Sequence, residues 1–270
     1  MKNGGKKRAD ILLAEKGLAD SRETAKRMIM AGQVYQVLNE QKIRVDKPGR
    51  FLSQDTLFFV ETGSRFVSRG GEKLLTAIEE FDIQVKDKVC LDVGASTGGF
   101  TDCLLQMGAA RVYALDVGAG QLHWKLRNDP RVIILEKINI RRAKPSLLPE
   151  KVDLAAIDCS FISLTLVLPA VTVFLKHNAQ VVALVKPQFE VGRGRTVKGV
   201  VRSEKDAEQA VQKVIDLAVQ ELDLKFLGRV PSRIKGPKGN QEHLIYLCCV
   251  QQPGMDNEHQ LQNQQAQTKD

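Results

Sequence analysis

The sequence lacks the features that mark secreted, membrane-spanning and disulfide-stabilised proteins. Its five cysteines are odd in number, lie within apolar segments and include no C-x-x-C pair, so neither a zinc site nor a redox motif is indicated. No apolar run approaches the ~18 residues of a transmembrane helix, and the Lys- and Gly-rich start has no signal-peptide core. We therefore expect reduced cysteines, no bound metal, no stable membrane association and a cytoplasmic location.

A glycine-rich loop is present, but it lacks the spacing of a dinucleotide-binding loop. Residues 89–100 read V-C-L-D-V-G-A-S-T-G-G-F, a short apolar strand that breaks into a turn ahead of a helical pattern. The spacing G-x-x-x-G-G departs from G-x-G-x-x-G, which disfavours a pyrophosphate ligand. A nucleoside-type cofactor without phosphates remains, and S-adenosylmethionine (SAM) is the commonest one on open α/β sheets. The loop's candidate cofactor contacts are Asp92, Gly94, Ala95, Ser96, Gly98, Gly99 and Phe100.

Length and charge set further limits. At 270 residues the chain exceeds the usual ~100–200 residues of one domain, so we expect one large and one small domain. The net charge is +8, and between Met1 and Arg50 there are twelve basic against six acidic residues. Such a charge favours a polyanionic partner, most often nucleic acid. An ordinary basic surface is the alternative, and the oligomeric state stays open.

Residues 8–34 carry the pattern R-x-D-x-x-L-x-x-x-G-x-x-x-S-R-x-x-A-x-x-x-I-x-x-G-x-V. This pattern resembles the S4 RNA-binding domain, in which two small helices and a sheet present a basic surface to structured RNA. Ser21 is the expected N-cap of the second helix, and Gly32 is expected to end it. The resemblance implies an α+β S4-like domain over residues 1–61. Its candidate phosphate contacts are Arg8, Arg22, Lys26 and Arg27.

The rest of the chain divides into a linker, a catalytic domain and a tail. Gly and Ser cluster in residues 62–71, which predicts an interdomain linker. A helix with one apolar face is expected over 72–81, with Lys73 near its start. Residues 251–270 are polar without apolar periodicity, which predicts a disordered tail. The second domain is then 72–250.

Strand and helix patterns alternate through the second domain. This predicts an α/β fold with a mostly parallel, doubly wound Rossmann-like sheet. With the SAM expected at the glycine loop, the sheet would be of the SAM-dependent methyltransferase type. Beyond the first strand we expect strands at 111–115, 132–135, 154–157, 181–185, 226–230 and 244–249, and helices near 101–107, 163–174 and 204–222. Asp116, with Val117 beside it, ends one strand at a spacing from Asp92 that suits a ribose contact, and Asn139 follows the next. Both are candidates for the cofactor's nucleoside.

Two further strands end in charged residues, Asp158 and Lys186. Enzymes that methylate exocyclic amines typically carry Asn or Asp, then Pro-Pro and an aromatic residue at this strand end. The sequence here is D-C-S-F over 158–161. It departs from that pattern, and a lysine–acid pair is better suited to removing a proton from a hydroxyl.

Together, R-G-G-E-K-L at 69–74, the glycine loop, V-K-P-Q-F-E at 185–190 and Q-E-H at 241–243 resemble the FtsJ-type ribose methyltransferases. With the S4-like module, the chain resembles the TlyA family, whose members carry the names of both ribosomal RNA 2′-O-methyltransferases and hemolysins. The resemblance implies methylation of ribosomal RNA, in cytidines, and a catalytic tetrad of Lys73, Asp158, Lys186 and Glu242. Lys186 is either a neutral base beside two positive charges or a charged group that positions the 2′-oxygen.

Two glycine-containing basic loops flank the expected site, at 192–199 and 232–239, and both are expected to bind an RNA strand. The candidate RNA contacts of the second domain are Arg69, Arg193, Arg195, Lys198, Arg233 and Lys235. Two alternatives to an RNA methyltransferase stay open. A non-catalytic RNA-binding protein would have no reason to keep the tetrad. A hemolysin-like, membrane-acting protein would need a membrane segment that is not apparent.

Overall fold

The computed structural model describes residues 5–61, 65–192, 194–236 and 238–250. Part of the predicted linker, the candidate Arg193 and the predicted tail at 251–270 lie outside the described residues. Between Arg65 and Phe66 the chain divides into two compact units.

The first unit is a small α+β fold. Its elements are β1 (Lys6–Arg8), α1 (Ala9–Glu15), α2 (Arg22–Met30), β2 (Val34–Leu38), β3 (Gln41–Arg44), β4 (Phe51–Ser53) and β5 (Leu57–Val60). The strands β3, β2 and β5 form an antiparallel sheet in that order, and β1 pairs with β4. The two helices and the three-stranded sheet enclose a small apolar core that includes Leu12, Leu13 and Ile29.

Local signals set the ends of α2. The Ser21 hydroxyl accepts a hydrogen bond from the backbone N–H of Thr24 at 3.1 Å, which satisfies one of the free donors of the first turn. After the helix, Gly32 adopts φ = +76°, a left-handed conformation that glycine takes without a steric penalty. Both predictions for this helix are confirmed.

The second unit is a seven-stranded sheet with helices on both faces. Its elements are α3 (Gly70–Glu80), β6 (Val89–Val93), α4 (Gly99–Gln106), β7 (Arg111–Asp116), α5 (Trp124–Arg127), β8 (Val132–Glu136), β9 (Val152–Ile157), α6 (Leu164–Thr172), β10 (Leu175–Val185), α7 (Pro187–Glu190), α8 (Glu204–Gln220), β11 (Leu224–Pro231) and β12 (His243–Cys249), with short 3-10 helices at Ile140–Arg142 and Pro145–Leu147. The strand order is β11-β12-β10-β9-β6-β7-β8. The pairs from β10 to β8 are parallel, and β12 is antiparallel to both of its neighbours. The predicted mostly parallel sheet is confirmed.

Alternate residues of the central strands enter two different apolar cores, as the period of a strand requires. Leu91 of β6 packs in one core with α6 and α8, whereas its neighbour Cys90 packs in the other core with α3 and α4. Helices therefore cover both faces of the sheet, and the doubly wound prediction is confirmed. The C-terminal ends of four parallel strands, β6, β7, β9 and β10, then meet along one edge, where such sheets bind ligands.

The predicted elements of the second unit are all present, with ends within two residues of the prediction, except that β10 begins at Leu175 instead of 181. The helix expected from Glu72 begins two residues earlier, at Gly70. Gly71 packs so closely on Phe66 that a Cβ there would overlap the ring. The four-residue helices α5 and α7 were not predicted, since neither is long enough to show a helical period.

Candidate active site

Three adjoining cavities open at the C-terminal edge of the sheet. The glycine-loop cavity, about 390 Å³, is bounded by residues 94–97, 99 and 100 and by the start of α3. The strand-end cavity, about 500 Å³, lies at the ends of β6, β7 and β9. The lysine cavity, about 460 Å³, is bounded by the segments that follow β9 and β10 and that precede β12. Ser160 lines all three, so the cavities meet at the end of β9.

The loop after β6 approaches the end of β9 so closely that Gly94 has no room for a side chain. The N–H groups of Gly94 and Ala95 both donate to the carbonyl of Leu115, at 2.8 and 3.1 Å, which fixes the start of the loop. A Cβ on Gly94 would lie 2.7 Å from the carbonyl oxygen of Asp158, and the residue has φ = +88°. Of the predicted loop contacts, those that line the glycine-loop cavity are Gly94, Ala95, Ser96, Gly99 and Phe100.

Asp116 places a carboxylate on the wall of the strand-end cavity. Its Oδ2 accepts from the N–H of Ser96 at 2.8 Å, and its Oδ1 accepts from the N–H of Gly118 at 2.7 Å. These bonds hold the carboxylate at the end of β7 beside the glycine loop. The predicted Val117 and Asn139 line the same cavity. Asn139 also caps the first 3-10 helix, since its Oδ1 accepts from the N–H of Arg141 at 3.1 Å.

Two predicted cofactor contacts, Asp92 and Gly98, lie behind the cavity walls and line none of the three cavities. Asp92 is fully buried, and its Oδ2 accepts a 2.6 Å hydrogen bond from the hydroxyl of Thr101. Burial raises the pKa of Asp92 to about 7, and its Oδ1 has no hydrogen-bond partner among the described residues. Gly98 has φ = +97° and packs against Leu126, so its role is to turn the chain into α4.

Lys73 and Glu242 form one buried ion pair of the site. Lys73 lies in the first turns of α3, and Glu242 directly precedes β12. The Nζ of Lys73 is 2.5 Å from Oε2 of Glu242, and Glu242 is only 1% exposed. The antiparallel pairing of β12 with β10 brings this carboxylate to the edge where the parallel strands end.

Lys186 and Asp158 form the second pair. Lys186 follows β10 and Asp158 follows β9, and these neighbouring parallel strands place the two residues side by side. The Nζ of Lys186 lies 2.6 Å from Oδ1 of Asp158, and it donates to the Oγ of Ser160 at 2.8 Å. Lys73 and Lys186 line both the glycine-loop and the lysine cavity. The structure therefore brings together all four residues of the predicted tetrad.

In the first unit, two of the predicted RNA contacts, Arg8 and Arg22, share one buried partner, Asp10. The guanidinium of Arg8 donates two 3.0 Å hydrogen bonds to the buried carboxylate of Asp10, and Arg22 donates a third at 3.0 Å. These bonds, with Arg8 foremost, lower the pKa of Asp10. Lys26 and Arg27 are exposed on α2, with Lys26 3.8 Å from Glu23.

The predicted RNA contacts of the second unit that the structure describes fall into three groups. Arg69 and Lys235 line the glycine-loop cavity. Arg195 and Arg233 form exposed ion pairs with Asp206 and Glu79, at 3.1 and 2.6 Å. Lys198 is exposed in its loop at φ = +53°.

Sequence reasoning missed several residues of the lysine cavity. Phe161 is 90% exposed, adopts φ = +65° and lies with its ring centroid 5.2 Å from that of Phe189. Lys238 lines the same cavity from the second basic loop. Two sequence signals could have found them: Phe161 and Phe189 come soon after strands, and Lys238 lies in a Gly-containing basic loop. The other wall residues that were not singled out are Ser160, Gln188, Thr196, Gly199 and Asn240.

The parallel sheet, its glycine loop and the two lysine–carboxylate pairs define a methyltransferase of the Rossmann-like class. Residues 66–249 match the FtsJ-like methyltransferase family model, and residues 7–49 match the S4 domain model. The chain belongs to the FtsJ-like methyltransferase family, in the TlyA group that carries an S4 domain ahead of the catalytic sheet. The resemblance stated from the sequence is thereby confirmed.

Similar proteins extend over nearly the whole chain. YqxC of Bacillus subtilis is 47% identical over 90% of this chain and 85% of its own. The 16S/23S rRNA (cytidine-2′-O)-methyltransferase TlyA of Mycobacterium tuberculosis is 45% identical over 89% of each. A solved structure from Streptococcus thermophilus that carries a hemolysin name is 44% identical, with a TM-score of 0.69 over 93% of this chain and 90% of that one. None of the helices formed by the described residues has the length and apolar character to span a bilayer.

Proposed function

We propose that this protein transfers the methyl group of SAM to a ribose 2′-hydroxyl of ribosomal RNA, in a cytidine. The observation that carries the proposal is the convergence of Lys73–Glu242 and Lys186–Asp158 on the walls shared by the glycine-loop and lysine cavities. The activity for which the Mycobacterium tuberculosis relative is named supports the same reaction and the same base.

The residues of the glycine-loop and strand-end cavities fit SAM. Gly94 lets the glycine loop pack against the end of β9, where a Cβ would lie 2.7 Å from the carbonyl oxygen of Asp158. Asp116 offers a carboxylate at the end of β7, the place from which such sheets bind a ribose. We assign the methionine part to the glycine-loop cavity and the nucleoside to the strand-end cavity.

When bound, SAM supplies an electrophilic methyl carbon whose bond to sulfur breaks as its bond to the ribose 2′-oxygen forms. The chain must bring the 2′-hydroxyl to that carbon and provide for its proton. Lys186 Nζ is the group we assign to the 2′-hydroxyl, because it faces both cavities and is oriented by Asp158 and Ser160. A neutral Lys186 would take the proton, whereas a charged Lys186 would hold the oxygen. Lys73, held by Glu242, is the second amine that lines these two cavities.

The lysine cavity is the proposed seat of the target nucleotide. Its volume of about 460 Å³ suits one nucleoside, and Phe161 and Phe189 offer ring faces for the base. Lys238 and Lys235 stand nearby for the backbone phosphates. We assign the S4 domain, through Lys26 and Arg27, to a separate grip on ribosomal RNA, with the RNA either naked or in ribosomal subunits. A cytoplasmic location follows from that substrate.

The test is transfer from tritium-labelled SAM to ribosomal subunits and to naked ribosomal RNA, followed by mapping of alkali-resistant linkages. We expect label at one or a few cytidine 2′-oxygens. Lys186→Ala should abolish transfer while SAM binding, measured by calorimetry, stays within about threefold. The control is Lys86→Ala, an exposed lysine ahead of β6 at the opposite edge of the sheet. Label on a base rather than a ribose, or full turnover by Lys186→Ala, would reject the assignment.

A further inference from the structure

Glu190 is a buried carboxylate near the site that the tetrad does not use. It is the last residue of α7 and is 5% exposed. Its Oε1 accepts from the backbone N–H of Leu164 at 2.7 Å, and its Oε2 accepts from the hydroxyl of Ser163. Both partners belong to the start of α6, so this side chain joins two segments that are 26 positions apart.

These two segments carry the residues that bound the lysine cavity. One runs from Asp158 to Ser163 and the other from Lys186 to Glu190. The ion pair between Asp158 and Lys186 ties them at the strand ends. The hydrogen bonds of Glu190 join the two segments at their other ends. Between these two connections the ring centroids of Phe161 and Phe189 lie 5.2 Å apart. The segments are therefore fastened at both ends around an exposed aromatic pair.

The start of α6 offers two hydrogen-bond donors, which is why a carboxylate suits position 190. The Oγ of Ser163 already accepts from the N–H of Thr165 at 3.1 Å, so its own proton is available to donate. The N–H of Leu164 is one of the free donors of the first turn. Glu190 accepts from both groups, and a negative charge at this end of a nine-residue helix is favoured by the helix dipole. Burial raises the pKa of Glu190, and these two hydrogen bonds oppose that shift.

We propose that Glu190 is a positioning residue that fixes the 158–163 segment against the 186–190 segment, and so sets the geometry in which Phe161 and Ser160 receive the target nucleotide. The inference rests on the proposed function for its substrate. It assigns Glu190 no contact with RNA or cofactor. Its effect passes through Ser163 and Leu164 to the segment that holds Phe161.

The experiment compares Glu190→Ala and Glu190→Gln in the full chain. Glutamine keeps an oxygen for the N–H of Leu164, and its amide N–H can donate to Ser163, so it should retain the tie; alanine cannot. Amide hydrogen exchange of residues 159–164 should speed up about tenfold in Glu190→Ala and stay near the parent rate in Glu190→Gln. The KM for ribosomal RNA should rise about tenfold in the alanine variant, with a smaller change in SAM affinity, because β6 and β7 hold Gly94 and Asp116.

The control is Ser203→Ala, which removes the comparable N-cap of α8 without touching either segment. It should lower the melting temperature but leave the exchange of 159–164 and the KM unchanged. Should Glu190→Ala not fold, Ser163→Ala removes one contact of the same tie and decides the question with the same readouts. Parent-like exchange and KM in the alanine variant would overturn the inference, and so would equal losses in the alanine and glutamine variants. If the parent enzyme does not methylate ribosomal RNA, the proposed function fails, while the exchange measurement still decides whether Glu190 holds the segment.

Discussion

Lys73 and Glu242 are 169 positions apart in the sequence, yet the Nζ of Lys73 lies 2.5 Å from Oε2 of Glu242. This pair joins the first helix of the catalytic unit to the segment before its last strand. A lysine near a helix start is placed against the helix dipole, and the buried carboxylate beside it accounts for its presence there. Lys73 lines the same two cavities as Lys186, so this pair and the Lys186–Asp158 pair belong to one site.

Replacing either Lys73 or Glu242 alone should lower the stability of the protein. Replacing both should restore part of that loss. Glu242→Gln or Lys73→Met alone leaves a buried charge without its counter-charge, a loss of about 3 kcal/mol in free energy of unfolding. The double variant buries no unpaired charge and should be more stable than the sum of the two losses predicts. Denaturant unfolding of all four proteins measures this. Methyl transfer should stay lost in the double variant. Additive losses in stability would contradict the pairing.

Gly94→Ala should weaken cofactor binding, because the new Cβ would collide with the end of β9. The new Cβ would lie 2.7 Å from the carbonyl oxygen of Asp158, so the glycine loop and the end of β9 would have to separate. The matched control is Gly120→Ala, which has a similar positive φ of +72° but open space around it. Both variants carry the backbone strain, and only Gly94→Ala should weaken SAM binding, by at least about tenfold in calorimetry. Equal weakening of SAM binding in the two variants would mean that backbone strain, and not the contact between Gly94 and the end of β9, causes the loss.

The parallel strands and their polar ends could be predicted because each strand is a local pattern, and parallel strands present their ends at one edge. Asp116, Asp158 and Lys186 were found in this way. The partners of these groups could not be predicted from spacing. Asp92 looks like a cofactor contact from its place in the motif, but the chain turns at Gly94 and leaves its carboxylate behind the loop with Thr101.

The same limit applies to the basic residues of the first unit and to the aromatic pair. Arg8 and Arg22 looked like free phosphate contacts, because the sequence did not reveal that Asp10 is buried between them. Phe161 and Phe189 lie 28 positions apart, and only the pairing of β9 with β10 brings their rings together.

Arg22 and Lys26, one turn apart on α2, should behave differently when replaced. Arg22→Ala removes a hydrogen bond from the buried Asp10, so it should lower the melting temperature as well as RNA affinity. Lys26→Ala removes an exposed charge whose nearest acid is 3.8 Å away, so stability should hold while RNA binding weakens. Its loss should reduce the slope of log affinity against log salt concentration by about 0.7–0.9. Titrations at several salt concentrations with melting curves would show the difference, and an unchanged slope for Lys26→Ala would remove it from the RNA surface.

Phe161→Ala should raise the KM for RNA with little change in SAM affinity. An exposed aromatic ring on the wall of the lysine cavity is expected to stack on the flipped base, a contact of about 1–3 kcal/mol. That range corresponds to roughly five- to 150-fold in KM. Phe161→Tyr keeps the ring and should retain near-parent kinetics. The control is Phe226→Ala, a partly exposed ring on the edge strand β11. A parent-like KM in Phe161→Ala would exclude stacking.

Asp92→Asn should make the protein less sensitive to pH in the range below neutrality. Burial, more than any other cause, raises the pKa of Asp92 to about 7 in the folded protein, against an ordinary value of 3.8. At a pH between 3.8 and about 7, Asp92 is ionised in the unfolded chain but still protonated in the folded protein. The free energy of unfolding therefore falls as the pH rises through this range, and it levels off above about pH 7. One pKa unit is about 1.4 kcal/mol, so the total is on the order of a few kcal/mol.

Asparagine at position 92 imitates the protonated acid and can still accept from Thr101. Unfolding curves of both proteins at pH 5 and pH 8 should therefore show the variant gaining on the parent at the higher pH. Other titrating groups are common to both proteins and cancel in that difference, and a difference that does not change with pH would place the pKa of Asp92 near its ordinary value.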